Sequence, residues 1–205
     1  MTQLEAEPVI AAELFGERIE LARAYTQDLA QRGEELGLIG PLELPRLWTR
    51  HIINCVLPAP LLQGSVADVG SGAGLPGLVM AIARPDVQFA LIEPMERRVD
   101  WLTHQVDALS LSNARVIRAR SEEVGEEFDQ VTARAVSALS KLIPATAHLT
   151  RAGGQLLFLK GSRVHDEVAA AAKAIRKHKV RDIEILTLGL GIVADPTTVF
   201  RATVD

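Results

Sequence analysis

From residue 65 onward, short apolar runs alternate with segments of helical periodicity, a pattern that buries the runs as parallel strands beneath crossover helices. Strands are expected at 66–69, 87–93, 115–119, 129–135 and 155–160, the last after a Gly153–Gly154 turn. Helices are expected over 76–83 and 95–109, through Leu142 and His148, and over the Ala-rich 164–178. In the 95–109 segment, Met95, Val99, Leu102, Val106 and Leu109 share one face, while Glu96, Arg97, Asp100 and His104 point elsewhere. Two final strands, near 183–188 and 198–204, have no helix between them and read as an antiparallel closing pair. The fold predicted is α/β: a doubly wound, mostly parallel, Rossmann-like sheet with an antiparallel closing strand.

Upstream, Ile10, Leu14, Ala22, Tyr25 and Leu29 predict an amphipathic helix over 10–31, ended by Gly33, Gly37, Gly40 and Pro41. A second helix is expected from Pro45, carrying Leu47, Trp48, Ile52, Cys55 and Val56 until Pro58 and Pro60 stop it. Residues 1–63 thus form an N-terminal helical cap, part of the same domain as the 64–205 core. The 205 residues, 48% hydrophobic and 23% charged, suit one such unit.

The turn at Asp68-Val69-Gly70-Ser71-Gly72-Ala73-Gly74-Leu75-Pro76-Gly77 lies where a buried strand becomes a helix, the place where such sheets bind ligands. Gly70, Gly72 and Gly74 let the backbone turn sharply and approach a ligand, and Pro76 sets the first helical turn. Residues 72–77 also fit the G-x-G-x-x-G dinucleotide pattern. Asp68 argues against a pyrophosphate, which its charge would repel, and for a cationic amino group such as that of S-adenosylmethionine. Glu93, ending the next strand, is placed to accept from both ribose hydroxyls, and the loop Arg120-Ser121-Glu122-Glu123 to reach an adenine.

A net charge of −4 leaves no globally basic coat, so nucleic acid would need a local patch. Arg46, Arg50, His51, Arg134, Lys160 and Arg163 fall at cap or strand ends on the ligand side and are its candidates. Lys173, Arg176, Lys177, Lys179 and Arg181 read instead as the solvated end of an Ala-rich helix. His51 and Cys55 have ligand spacing but lack a third partner nearby, so no metal is expected. The single cysteine, the absence of a leader-like opening and the shortness of every apolar stretch predict a cytoplasmic protein that does not enter membranes. Trp48 and Trp101 read as packing residues, with base stacking by Trp48 the alternative.

The sequence resembles the bacterial small-subunit rRNA guanine-N7 methyltransferases, the RsmG family, also called glucose-inhibited division protein B. The resemblance covers nearly the whole chain. Its carriers are Arg50-His51-Ile52, the 68–77 turn with its Leu-Pro-Gly ending, Arg97-Arg98, Ser121-Glu122-Glu123, Ala133-Arg134-Ala135 and Leu159-Lys160-Gly161. Ala133 stands where a serine is expected before the arginine. The resemblance implies a class I methyltransferase that uses S-adenosylmethionine on 16S rRNA within the small ribosomal subunit. It further implies that Gly70, Leu75, Ser121, Glu122 and Arg134 line the cofactor site. A monomer is expected.

The chemistry of the residues agrees with a ring-nitrogen acceptor. Methylation of exocyclic amines calls for a polar-Pro-Pro-aromatic loop after the fourth strand, where this chain has Ala133-Arg134-Ala135-Val136. Cytosine ring-carbon chemistry calls for an active-site cysteine, and Cys55 lies in the cap. Guanine N7 already offers an in-plane lone pair, so orientation can supply most of the rate, with Arg134 and Lys160 holding the guanosine and its flanking phosphates. The alternatives are a small-molecule methyltransferase, a nicotinamide-dependent oxidoreductase using the G-x-G-x-x-G register, and a non-catalytic ribosome-assembly factor.

Overall fold

The structure, a computed structural model, describes residues 3–205. Its strands are β1 (Ser65–Val69), β2 (Gln88–Ile92), β3 (Ala114–Ile117), β4 (Phe128–Arg134), β5 (Thr150–Lys160), β6 (Val180–Leu188) and β7 (Thr197–Val204). They form one sheet in the order β3-β2-β1-β4-β5-β7-β6. The first five pair in parallel, and β7 runs antiparallel to both β5 and β6. The parallel alternation and the antiparallel closure are therefore as the sequence predicts.

The helices are α1 (Ile10–Phe15), α2 (Ile19–Arg32), α3 (Asn54–Val56), α4 (Gly77–Ala83), α5 (Glu96–Ala108), α6 (Leu139–Thr146), α7 (Val164–Ala170) and α8 (Ala172–Lys177). Four expected elements differ. The helix over 10–31 is two, because Gly16 adopts φ +52 and a short 3-10 turn follows it. The segment after Pro45 is not a regular α-helix: a 3-10 turn leads into a π-helical stretch, Leu47–Ile53, and only then into α3. The Gly153–Gly154 pair does not precede the fifth strand but lies inside it, where the pairing with β4 shifts register. The Ala-rich helix also breaks, at Ala171, into α7 and α8.

Side chains alternate across the sheet, as pleated strands require. On β5, Leu157 and Leu159 join an apolar cluster with Met80 and Ile82 of α4 and Trp101 and Leu102 of α5. Leu156 and Phe158 join a second cluster on the opposite face, with Leu142 and Ile143 of α6 and Val164 of α7. Phe158 stacks on its register partner Phe200, with centroids 5.9 Å apart and planes within 9°.

The N-terminal helices are joined to the glycine turn by polar contacts as well as apolar ones. Tyr25 of α2 is fully buried, and its hydroxyl donates to the Ala73 carbonyl at 2.9 Å. Trp101 of α5 donates its indole N–H to the same oxygen at 2.8 Å. Arg32 of α2 lies over the Trp101 ring at 5.4 Å. One backbone acceptor thus links a cap helix, the turn and a core helix, and both aromatic residues have a polar function that apolar periodicity does not reveal.

Each of Tyr25→Phe and Trp101→Phe leaves the Ala73 oxygen one donor, so each should cost about 0.5–1.5 kcal/mol from the lost hydrogen bond. The double variant buries that oxygen unpaired, and should exceed the sum by about 1 kcal/mol or more. Urea denaturation of the four proteins measures this coupling, and strict additivity would show that the shared carbonyl is not the link.

Candidate functional site

The turn between β1 and α4 is shaped by the two carboxylates that flank it. Asp68 is fully buried, and its Oδ2 accepts from Ser71 Oγ at 2.6 Å and from the Gly77 backbone N–H at 2.9 Å. The carboxylate therefore spans the whole turn. Gly77 is needed for this approach, because a Cβ there would lie 2.5 Å from the Asp68 carboxylate and 2.7 Å from Leu91. Gly70, Gly72 and Gly74 all have positive φ, so the backbone demands glycine at each.

Glu93, 2% exposed, holds the turn from the other side. Its Oε2 accepts from the Gly72 N–H and its Oε1 from the Met95 N–H, both at 3.0 Å. The N–H groups of Gly70 and Ser71 meanwhile donate to the Ile92 carbonyl, tying the turn to the end of β2. Each Glu93 oxygen retains a lone pair for a further donor. Arg98 Nη1 stands 3.8 Å from Oε2, and its Nε is buried without a partner.

Asp68 Oδ1 is also buried with no partner, and burial, its largest influence, pushes the Asp68 carboxyl up to about 6. The Ser71 and Gly77 hydrogen bonds act against that rise, and the nearby Glu93 charge adds to it. A buried acid with one committed and one orphaned oxygen suits a cationic ligand group, which would restore its charge. The free carboxylate acceptor at this turn therefore fits the ammonium of S-adenosylmethionine, and Glu93 with its spare lone pairs fits a ribose.

Leu75 is half-buried against the core, its bond to Pro76 is cis, and α4 begins one residue later. Ser121 and Glu122 lie in the 3-10 turn after β3. There the Ser121 carbonyl accepts from His148 Nε2 at 2.9 Å, while Glu122 is exposed.

A cleft of about 760 Å³ opens at the ends of β4 and β5, lined in part by Arg50, Asn54, Arg134, Lys160, Arg163 and Asp195. Four of the cationic candidates from the sequence thus meet around one cavity. Arg46 and His51 do not join them, because Glu43 receives both, His51 Nε2 at 2.6 Å and Arg46 Nη2 at 2.5 Å. Burial draws the His51 ring below its usual range more strongly than Glu43 raises it.

The Arg134 fork is engaged rather than free, donating to Cys55 Sγ at 3.2 Å and to the Arg50 carbonyl at 2.9 Å. Lys160 departs further from its expected place. Its side chain is 9% exposed and its ammonium is bound to Glu167 at 2.6 Å and to the Ser137 carbonyl at 2.9 Å, so a solvent-facing phosphate contact is not what it offers. The acid responsible sits in the first turn of α7, just past the turn that follows β5, where strand patterning gives no sign of it. Trp48 is 4% exposed and packs in the core, which leaves it no open face for a base.

Asn54 was not among the sequence candidates. It lines the cleft, and its Oδ1 is buried with no partner. Among the described residues no group of three or more His, Cys, Asp or Glu side chains could hold a metal ion, and no helix is long and apolar enough to cross a membrane.

The comparisons with known proteins converge. Residues 18–192 match the family model described as rRNA small subunit methyltransferase G. The chain is 63% identical to the ribosomal RNA small subunit methyltransferase G of Clavibacter michiganensis subsp. michiganensis, covering 98% of this chain and 97% of that protein. It is 58% identical to the protein of the same name from Leifsonia xyli subsp. xyli, covering 98% of each. Among solved structures, the precorrin-6y C5,15-methyltransferase of Geobacter metallireducens shares the fold with a TM-score of 0.56 at 16% identity, over 77% of this chain and 90% of that one. P. horikoshii TYW2, solved in complex with MeSAdo, superposes with a TM-score of 0.58 at 13% identity, over 75% and 62%. These neighbours share the Rossmann-like methyltransferase sheet, and the full-length likeness goes beyond fold: the chain belongs to the rRNA small subunit methyltransferase G family.

Proposed function

We propose that this chain transfers a methyl group from S-adenosylmethionine to N7 of a guanosine in 16S rRNA, presented within the small ribosomal subunit. The observation that carries this reading is the near-full-length identity to ribosomal RNA small subunit methyltransferases G. It displaces the metabolite and nicotinamide alternatives. The protein would work in the cytoplasm as a monomer, with residues 1–63 capping the 64–205 core.

The cofactor supplies an electrophilic methyl on a sulfonium. Asp68 Oδ1 would hold its ammonium, the backbone at Gly70, Gly72, Gly74 and Leu75 would surround its methionine end, and Glu93 would accept from its ribose. Ser121 and Glu122 would border the adenine. The cleft lined by Arg50, Arg134 and Arg163 would receive the guanosine and its flanking phosphates. Arg134 would turn part of its fork to guanine O6 or to the cofactor carboxylate, and must not donate to N7, whose lone pair reacts. No residue is needed as a general base, because N7 carries no proton. Arg46 and His51, joined through Glu43, would shape the RNA-facing edge of the cap.

The Asp68 assignment makes the affinity for S-adenosylhomocysteine pH-dependent. Its carboxyl titrates near 6 when the protein is empty, and the cationic ligand prefers the charged form, so binding expels a proton below that pH. Calorimetry should find affinity about tenfold weaker at pH 5 than at pH 7.5, one pH unit below the titration point. Asp68→Asn should bind roughly ten- to hundredfold more weakly at pH 7.5, the value of a charge-assisted hydrogen bond, with no comparable loss at low pH. A wild-type affinity that is flat across this range would remove Asp68 from the ammonium contact.

The reaction is tested by incubating purified small subunits from cells lacking the gene with tritiated cofactor and mapping the product. Label should appear in 16S rRNA as N7-methylguanosine. Arg134→Ala should lower turnover at least tenfold through lost orientation and weaken the cofactor modestly. Label confined to protein or small molecules would overturn the RNA assignment, and label on another ring atom would overturn N7.

A further inference from the structure

The loop between β4 and α6, residues 135–138, borders two clefts. One is the 760 Å³ cavity described above, which Ala135 helps to line, and the second is a cavity of about 580 Å³ lined by Ala135, Val136, Ser137, Ala138, Arg163 and Glu167 among others. The loop leaves β4 through Ala135 at φ +55, an orientation that a non-glycine residue adopts only when its surroundings impose it. Its next residue, Val136, is 46% exposed and yet touches the glycine turn. A Cβ added at Gly70 would lie 2.9 Å from Val136 Cγ2.

The C-terminal half of this loop is held by one ion pair. Lys160 Nζ, at the end of β5, donates to the Ser137 carbonyl at 2.9 Å and lies 2.6 Å from Glu167 Oε2. The same Glu167 oxygen accepts from the Leu139 N–H at 3.0 Å, at the first residue of α6. A carboxylate there satisfies an N–H group that the helix itself leaves unpaired. Lys160 and Glu167 therefore grip the loop at 137 and 139 while Val136 rests on Gly70. The loop has few apolar contacts of its own: Ala135, Val136 and Ala138 are all exposed.

We propose that Lys160 is a positioning residue of the transfer reaction: paired with Glu167, it sets the stance of the 135–138 loop against the Gly70 turn. This rests on the reading of the chain as an RNA methyltransferase. The loop, with Ala135 on the acceptor cleft and Val136 on Gly70, then forms the partition between donor turn and acceptor, and Val136 sets how closely the acceptor base approaches the turn. Losing the clamp lets the partition drift, which slows the reaction of bound substrate without removing a contact to RNA. A phosphate-binding lysine would do the reverse, weakening RNA binding in a salt-dependent way and leaving Glu167 irrelevant.

Lys160→Met and Glu167→Gln separate the two roles, with Lys160→Arg as the conservative form. Steady-state transfer to purified small subunits should show kcat lowered roughly tenfold to hundredfold in both variants, the cost of misplacing reacting groups. KM for the subunit and the salt slope of RNA binding should stay within about twofold of wild type, as expected where no phosphate contact is lost. Lys160→Arg, which keeps a donor to Ser137 and a charge for Glu167, should recover most of the rate. A raised KM and a flatter salt slope in Lys160→Met, with Glu167→Gln unaffected, would overturn the proposal in favour of a phosphate contact. Hydrogen exchange of the apo proteins gives a readout free of activity: the Leu139 amide should exchange faster in both variants. Unchanged exchange there would overturn the clamp. Wild-type protein that fails to label RNA while still showing the exchange difference would count against the function proposed above and not against the clamp.

Discussion

A single carboxylate oxygen closes the ligand turn. Asp68 Oδ2 reaches Ser71 and Gly77 together, so the strand end, the middle of the turn and the first residue of α4 are held at one atom. Everything else at the site is referenced to that closure. Glu93 fixes Gly72 from β2, Tyr25 and Trp101 fix Ala73 from the far side, and Val136 settles on Gly70. A buried hydrogen bond adds modestly to stability, while a buried polar group left unpaired costs more, so such a network is held by the penalty for opening any one link.

The closure has an electrostatic cost of its own. Two acids, Asp68 and Glu93, are buried near one another, and the raised titration point of Asp68 records burial first and the neighbouring charge last. A positively charged ligand group relieves both effects. Two buried acids favour a cation in a way that a neutral turn would not, in contrast to the pyrophosphate-binding turns whose glycine spacing this turn shares.

Most of the frame was legible in the sequence because it depends on periodicity and chain order. Alternating runs predicted the parallel strands, and the lack of a helix between the last two predicted their antiparallel pairing. Asp68 and Glu93 were visible because a charged residue inside or ending an apolar strand is conspicuous. What escaped is the pairing of side chains, near or far along the chain, which periodicity does not encode. Glu167 on α7 neutralises Lys160, Glu43 takes up both Arg46 and His51, and the Arg134 fork turns toward Cys55 and the Arg50 carbonyl. Arg46, His51, Arg134 and Lys160, candidates for a basic patch by sequence, thus prove to be committed within the protein. The π-helical turn at Leu47–Ile53 escaped for a different reason, since its residues carry the same apolar spacing as an ordinary helix.

The position of β7 bears on how the chain comes off the ribosome. β7 lies between β5 and β6, so β6 is made first yet has no place in the sheet until β7 is complete. During vectorial synthesis the edge of β5, with Leu156, Leu157, Phe158 and Leu159, therefore stands open after its own residues have emerged. A long, apolar, unpaired edge is the surface from which strands of neighbouring nascent chains aggregate. Placing β7 between β5 and β6 makes residues 197–204 a checkpoint, because a chain stalled before residue 197 keeps the five parallel strands and still exposes that edge.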